Sequence, residues 1–183
     1  MLPPVAGLLL AAGEGRRYGG PKALVEGWLH WAVNALDEGG CSEVTVVLGA
    51  GADEARELVP DGVRIVVAED WAEGMGASLR AGLDALADSD AVAAVVHLVD
   101  LPDVRPSVVS RLLGVAGEET LARAAYHGTA GHPVMLGRAH WAAVRESAVG
   151  DQGARAYLST REVDEIECGD LAEGTDVDVN RAE

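Results

Sequence analysis

The chain contains no phenylalanine, and aromatic residues make up only 4% of it. A core without large rings has to be assembled from Ala, Val and Leu, and a hydrophobic fraction of 49% supplies enough of them. Cysteine is equally scarce: Cys41 and Cys168 stand far apart, with no Cys-x-x-Cys or Cys/His spacing. That argues against a disulfide scaffold or a zinc site and for two free thiols in a reducing compartment. Basic residues are few, 14 against 30 acidic ones, for a net charge of −16. Such a surface repels nucleic acid and anionic membrane as general partners. The apolar run at residues 5–12 is too short to span a bilayer and lacks the basic flank of a signal peptide. The 183 residues therefore predict one cytoplasmic domain, residues 1–183, with one core.

What the chain does have is a glycine-rich loop directly after that apolar run. Leu8-Leu9-Leu10-Ala11-Ala12 enters Gly13-Glu14-Gly15-Arg16-Arg17-Tyr18-Gly19-Gly20-Pro21-Lys22. A buried strand that opens into glycines lets backbone N–H groups approach a phosphate. Arg16, Arg17 and Lys22 add local positive charge, which a polyphosphate would need on so acidic a protein. The loop is not a Walker A motif, because Lys22 is followed by Ala23 and not by Ser or Thr. Nor is it a dinucleotide fingerprint: Tyr18 stands where the third glycine belongs, and Gly19-Gly20-Pro21 would break the helix that the fingerprint opens.

Strand-like and helix-like stretches alternate along the rest of the chain. Residues 28–36, 76–87 and 106–115 show helical spacing, and Asp53 is expected to cap a short helix ending at Pro60. Residues 43–48, 63–67 and 91–99 read as strands, the last apolar throughout and so covered on both faces. His97 on it reads as a satisfied core histidine. Later, residues 120–126 and 133–136 read as strands around a loop at 127–132, residues 138–147 and 151–159 as helices, residues 161–167 as a last strand and 176–180 as an extended piece. The pattern predicts a mostly parallel sheet with helices on both sides, whose ligands lie beyond the strands' carboxyl ends.

That rule selects a few polar residues. Asp100 ends the most apolar strand, in Asp100-Leu101-Pro102, and either binds a metal or caps the next turn. Asp176 and Asp178 share a side if their segment is extended; the alternative is a solvated acidic tail. Gly74-Met75-Gly76-Ala77-Ser78 opens a helix whose first amides face either an anion or nothing in particular, and Arg80 there is either a site residue or half of an ion pair.

The run from Leu10 to Lys22 resembles the signature of nucleotidyltransferases with a GT-A-type, Rossmann-like fold, and is most similar to the MobA-like group that includes the molybdenum cofactor guanylyl- and cytidylyltransferases. The resemblance extends through Asp100-Leu101-Pro102, Gly74 to Gly82, Gly131-His132-Pro133 and Gly150 to Arg155. It departs at Val179-Asn180, where the family has Thr-Pro, and between Lys22 and Trp28, where family members carry several more residues.

The resemblance implies a three-layer α/β/α fold and an enzyme that transfers a nucleotidyl group with Mg²⁺. It implies triphosphate and base contacts from Leu10, Ala11, Ala12, Gly13, Gly15, Arg16, Gly74, Gly76 and Ser78. Catalytic charge would come from Arg17, Lys22 and Asp100, the metal would sit on Asp100 and Asp178, and acceptor-side contacts would come from His132, Asp151 and Arg155. The Leu-Ala-Ala-Gly start is similar to the cytidylyl branch, which implies CTP and a molybdopterin-type phosphorylated acceptor, with a molybdoenzyme or its maturation chaperone as protein partner. The competing readings are a guanylyltransferase, a transferase acting on a sugar phosphate or phospho-lactate, a nucleotide-binding module without turnover, and a dinucleotide-dependent oxidoreductase.

Overall fold

The computed structural model describes residues 2–16 and 18–175. At its centre is β1 (Val5–Ala11), buried along its whole length. It is flanked by β2 (Glu43–Leu48) and β4 (Ala93–Leu98), both parallel to it. β3 (Arg64–Val67), β5 (Leu121–Tyr126), β6 (Thr129–Gly137) and β7 (Asp164–Glu167) complete a seven-stranded sheet of order β3-β2-β1-β4-β6-β5-β7. β6 alone runs against its neighbours, β4 and β5.

Alternation along β1 sends Leu9 to one face and Leu8 and Leu10 to the other. On the Leu9 face the sheet meets α1 (Trp28–Glu38) and α4 (Pro106–Leu113), with Leu36 and Leu112 fully buried. On the Leu8 face it meets α3 (Met75–Ala85) and α5 (Trp141–Ser147), through Leu79, Leu83 and Val144. Burying one such leucine stabilises the fold by about 1.5–3 kcal/mol. The result is the expected three-layer α/β/α architecture, and no described helix is long and apolar enough to cross a membrane.

Several local expectations need correction. The stretch 127–132 is not a loop. His127 and Gly128, both at positive φ (53° and 83°), form a tight hairpin turn, and β6 begins at Thr129. The alternating Ala and polar residues after the turn do not look like a buried strand, yet β5 supplies a partner for them. Asp53 caps nothing: α2 (Ala52–Arg56) has Gly51 at its N-cap, and Asp53 sits inside the first turn. The helix expected at 151–159 shrinks to α6 (Arg155–Leu158), because Gly150 and Gly153 hold the preceding chain in left-handed turns. The extended piece at 176–180 lies outside the described residues.

His97 also differs from its reading. It shares the Leu9 face with Val95 and Val99 and is fully buried, but neither ring nitrogen has a hydrogen-bond partner among the described residues. Burial, with His132 nearby, pushes its pKa down to about 3 from 6.5. Between those values the unfolded chain binds a proton that the folded chain refuses, so stability falls as the pH drops from 6.5. We therefore expect His97→Leu to stabilise the protein by about 1–3 kcal/mol near neutrality, since it removes unpaired buried nitrogens. The gain should grow toward pH 5, and thermal unfolding across pH would measure it. A variant with the wild-type slope would show that His97 does not carry this dependence.

Candidate active site

β1 and β4 are adjacent and parallel, with Leu10 opposite Leu98. Their carboxyl ends therefore open at the same level, with α1 packed on one face of the sheet and α3 on the other. Ligands of open α/β sheets bind beyond such carboxyl ends. Lys22, from the loop after β1, donates to Asp100 Oδ2 at 2.8 Å. Both side chains are largely enclosed, 14% and 16% exposed, so water screens this pair far less than a surface pair.

The glycine loop owes its shape to one residue. The C=O of Gly15 accepts from the amides of both Gly19 (2.8 Å) and Gly20 (3.0 Å). Gly15 has φ +64°, and a Cβ there would lie 1.8 Å from the carbonyl oxygen of Gly20. Gly13 is different: a Cβ on it would meet nothing within 4 Å, so it faces open cleft. The amide of Gly19 is thus engaged inside the loop and is not offered to a phosphate. Arg16 is paired with Glu14 and 87% exposed, at the rim. Tyr18 stacks at a tilt on Trp28, with ring centroids 5.4 Å apart, and holds the loop to α1. Arg17 and Asp178 lie outside the described residues.

A cleft of about 430 Å³ opens over the Lys22–Asp100 pair. Leu10, Ala11, Ala12, Gly13, Gly15 and Arg16 form one wall, and Gly74 and Ser78 the other. Gly76 is not part of it. Its N–H donates to the Gly150 carbonyl at 2.9 Å, and a Cβ would come within 2.8 Å of the Ala148 backbone, so this glycine serves close packing. The amide of Gly74 is likewise taken, by the Trp71 carbonyl. Arg80 pairs with Glu73 and with the Ala148 carbonyl, and is structural.

A second cleft of about 330 Å³ adjoins the first and shares Leu10, Met75 and Asp151 with it. His132 and Arg155 line it, so the structure brings together the three residues read as acceptor-side. Its remaining walls are mainly apolar, including Leu79, Val96, Val134 and Leu136. Burial pushes the His132 pKa down to about 4. Asp100 opposes that shift while Arg123 and Arg155 reinforce it, so the imidazole is neutral at pH 7. Tyr126 donates its hydroxyl to the His132 carbonyl at 2.6 Å and fixes the strand there. Asp151 is no helix cap, since Ala154 occupies that position. Arg123 was missed. A lone charge between Ala122 and Ala124, in a strand otherwise apolar, is the signal that would have found it.

The metal expectation is only partly placed. Among the described residues no group of three or more His, Cys, Asp or Glu side chains stands ready for an ion. Asp103, three residues beyond Asp100, accepts from the amides of Glu173 (2.9 Å) and Gly174 (3.1 Å) through Oδ2. The chain is thereby tethered to the Asp100 loop shortly before residue 176.

Fold and crevice define an α/β enzyme of the nucleotidyltransferase class. The MobA-like NTP transferase domain matches residues 7–166, and the chain belongs to that family. It is 39% identical to the nicotine blue oxidoreductase of Paenarthrobacter nicotinovorans, over 97% of this chain and 93% of that one. The crystal structure of Rv0371c from Mycobacterium tuberculosis is similar at a TM-score of 0.81 and 27% identity, covering 98% of this chain and 95% of that one. A complex of that protein with manganese gives 0.76 at 26% identity, covering 92% and 89%.

Two glycine variants should separate loop shape from ligand contact. Gly15→Ala should destabilise the protein by about 1–3 kcal/mol through backbone strain and the clash with Gly20. Gly13→Ala should leave thermal stability unchanged while weakening nucleotide binding, and unchanged affinity would mean that no ligand approaches Gly13. A double-mutant cycle on Lys22→Ala and Asp100→Ala, read by denaturant unfolding, should show a coupling of roughly 0.5–3 kcal/mol. An additive cycle would mean that the contact contributes nothing to the fold.

Proposed function

We propose that this protein transfers CMP from CTP to a phosphorylated acceptor of the molybdopterin type, releasing pyrophosphate. The observation that carries the reading is the pair of adjoining clefts, one built around the glycine loop and the Lys22–Asp100 pair, the other apolar with two arginines. The first suits a nucleoside triphosphate; the second suits a body with apolar faces and an anionic group.

In this reading Lys22 and the amides around Gly13 and Gly15 hold the triphosphate, with Arg17 a further cation. Leu10, Ala11, Ala12 and Ser78 flank the base. An acceptor phosphate oxygen forms a bond to the α-phosphorus, the bond to the bridging oxygen breaks, and the electron pair leaves with pyrophosphate. A phosphate monoester is already an anion at pH 7, so the step needs no general base, and a neutral His132 is compatible with it. What the protein contributes is alignment and charge neutralisation.

Asp100 is a hard oxygen donor on the cleft wall, and Mg²⁺ takes one or two carboxylates together with phosphate oxygens, so the donor set fits that ion. Asp100, with Asp178 as second ligand, would hold it. The ion would neutralise charge on the transferred phosphate. The manganese complex of the M. tuberculosis relative supports a divalent cation. The product would pass to a molybdoenzyme or its maturation chaperone.

A second reading is favoured by the oxidoreductase name of the P. nicotinovorans relative: a dinucleotide-dependent reduction. Against it stands the local backbone. Among the described residues no α-helix follows the glycine loop directly; a turn, Pro21 and a 3-10 helix (Lys22–Leu24) intervene before α1. A dinucleotide's pyrophosphate is normally held at such a helix start.

The test is pyrophosphate release with each NTP and purified molybdopterin, beside binding of NADH and NADPH. CTP should turn over, and Lys22→Ala or Asp100→Ala should each lower kcat/KM by roughly 10²–10³. Turnover with GTP alone would overturn the choice of nucleotide. Tighter binding of NAD(P)H than of any NTP would favour the second reading.

A further inference from the structure

We infer that Arg123 and Arg155 form a subsite for the phosphate of the acceptor, and that Glu165 holds Arg123 in its absence. The inference rests on the transfer reading above and adds to it the residues that select a phosphorylated acceptor.

Arg123 lies on β5 directly beside Glu165 of β7. Its Nη2 donates to Glu165 Oε1 at 3.4 Å, near the limit of a hydrogen bond. Its Nε is buried and has no partner among the described residues. A guanidinium offers five donors, and here one long contact engages it. A buried charged donor left unmade is destabilising, and the arrangement is completed by an acceptor entering the cleft. Arg155 lines the same cleft from α6, so Arg123, Arg155 and His132 all face one space of about 330 Å³.

The chemistry of that space favours a phosphate monoester. The planar guanidinium fork matches phosphate oxygens in pairs, and bonds between two charged groups are the stronger kind. Glu165 is a weak competitor: its side chain is 45% exposed, so water screens it, and its contact is long. A phosphate arriving in the half-enclosed cleft should displace it. Apolar walls at Leu79, Val134 and Leu136 would then cover the uncharged body of the same ligand. On a chain with net charge −16, two arginines on one largely apolar cleft also select against acceptors lacking an anion, since such a ligand would take water from these cations without offering them a charged partner.

The experiment titrates the full-length protein with inorganic phosphate and with phenyl phosphate, read by calorimetry. Arg123→Gln should weaken both at least about tenfold, the size of one charge-assisted hydrogen bond. Arg123→Lys should restore affinity only in part, because a point charge cannot pair two oxygens. Glu165→Gln should tighten binding, a result that loss of folding cannot mimic. Phosphate should also raise the pH at which the His132 imidazole titrates, followed by NMR. Equal phosphate affinity in wild type, Arg123→Gln and Glu165→Gln would overturn the subsite, as would tighter binding in Arg123→Gln. The titration needs no turnover. A protein that binds phosphate through Arg123 yet releases no pyrophosphate from any NTP therefore keeps the subsite and loses the transfer reading. Transfer with an acceptor KM unchanged by Arg123→Gln does the reverse.

Discussion

Lys22 and Asp100 meet only because β1 and β4 lie side by side and end together. Seventy-eight positions separate them in sequence, and the parallel register that sets Leu10 against Leu98 closes that distance to 2.8 Å. Each depends on the other's position. The glycine loop must be folded on Gly15 to bring Lys22 back across the strand ends, and the apolar run of β4 must be buried on both faces to carry Asp100 to its place. The pair ties a loop with little secondary structure of its own to the most rigid part of the sheet.

The same pair shows that charge on an acidic protein is a matter of place. A net charge of −16 repels a polyphosphate at a distance, but at physiological ionic strength that repulsion is screened over about 8 Å. Inside a half-enclosed cleft screening is weaker and nearby charges dominate. Among the described residues the cations that face the two clefts are Lys22, Arg123 and Arg155, with Arg16 at the rim, whereas Arg80, Arg111 and Arg145 make their ion pairs away from them. Position, and not total charge, decides what such a surface binds.

Much of this was legible in the sequence. The strand–loop–strand order, the glycine loop, Lys22 and Asp100 could be found because strand burial, turn chemistry and the rule about carboxyl ends are local or nearly so. What was not legible depended on tertiary partners. β6 extends well past its apolar half because β5 pairs with it, and Gly76 is a packing glycine because the 148–150 backbone crosses it. His97 looked satisfied because buried histidines usually are, and only the three-dimensional neighbourhood shows two nitrogens without a partner among the described residues. Arg123 was hidden for the opposite reason. Its strand gave a clear signal, a single charge among alanines, but nothing local says which face of the sheet carries a cleft.

The glycine loop also bears on what chemistry the family fold supports here. In a dinucleotide site the macrodipole of the helix that follows the loop supplies charge to the pyrophosphate. In this chain Pro21 and a 3-10 turn separate the loop from α1, and the amides of Gly19 and Gly20 are turned onto Gly15. Among the described residues the loop therefore offers the amides near Gly13, and a charged ligand there would depend mainly on side-chain cations such as Lys22. That division of labour suits a triphosphate, whose charge is large and has to be handed to a leaving group. It is poorly matched to a nicotinamide cofactor, whose pyrophosphate stays intact and whose reacting ring is uncharged when reduced. A shared fold and 39% identity to an oxidoreductase leave the site itself to decide the chemistry, and the site gathers Lys22, Arg123 and Arg155 along two adjoining clefts.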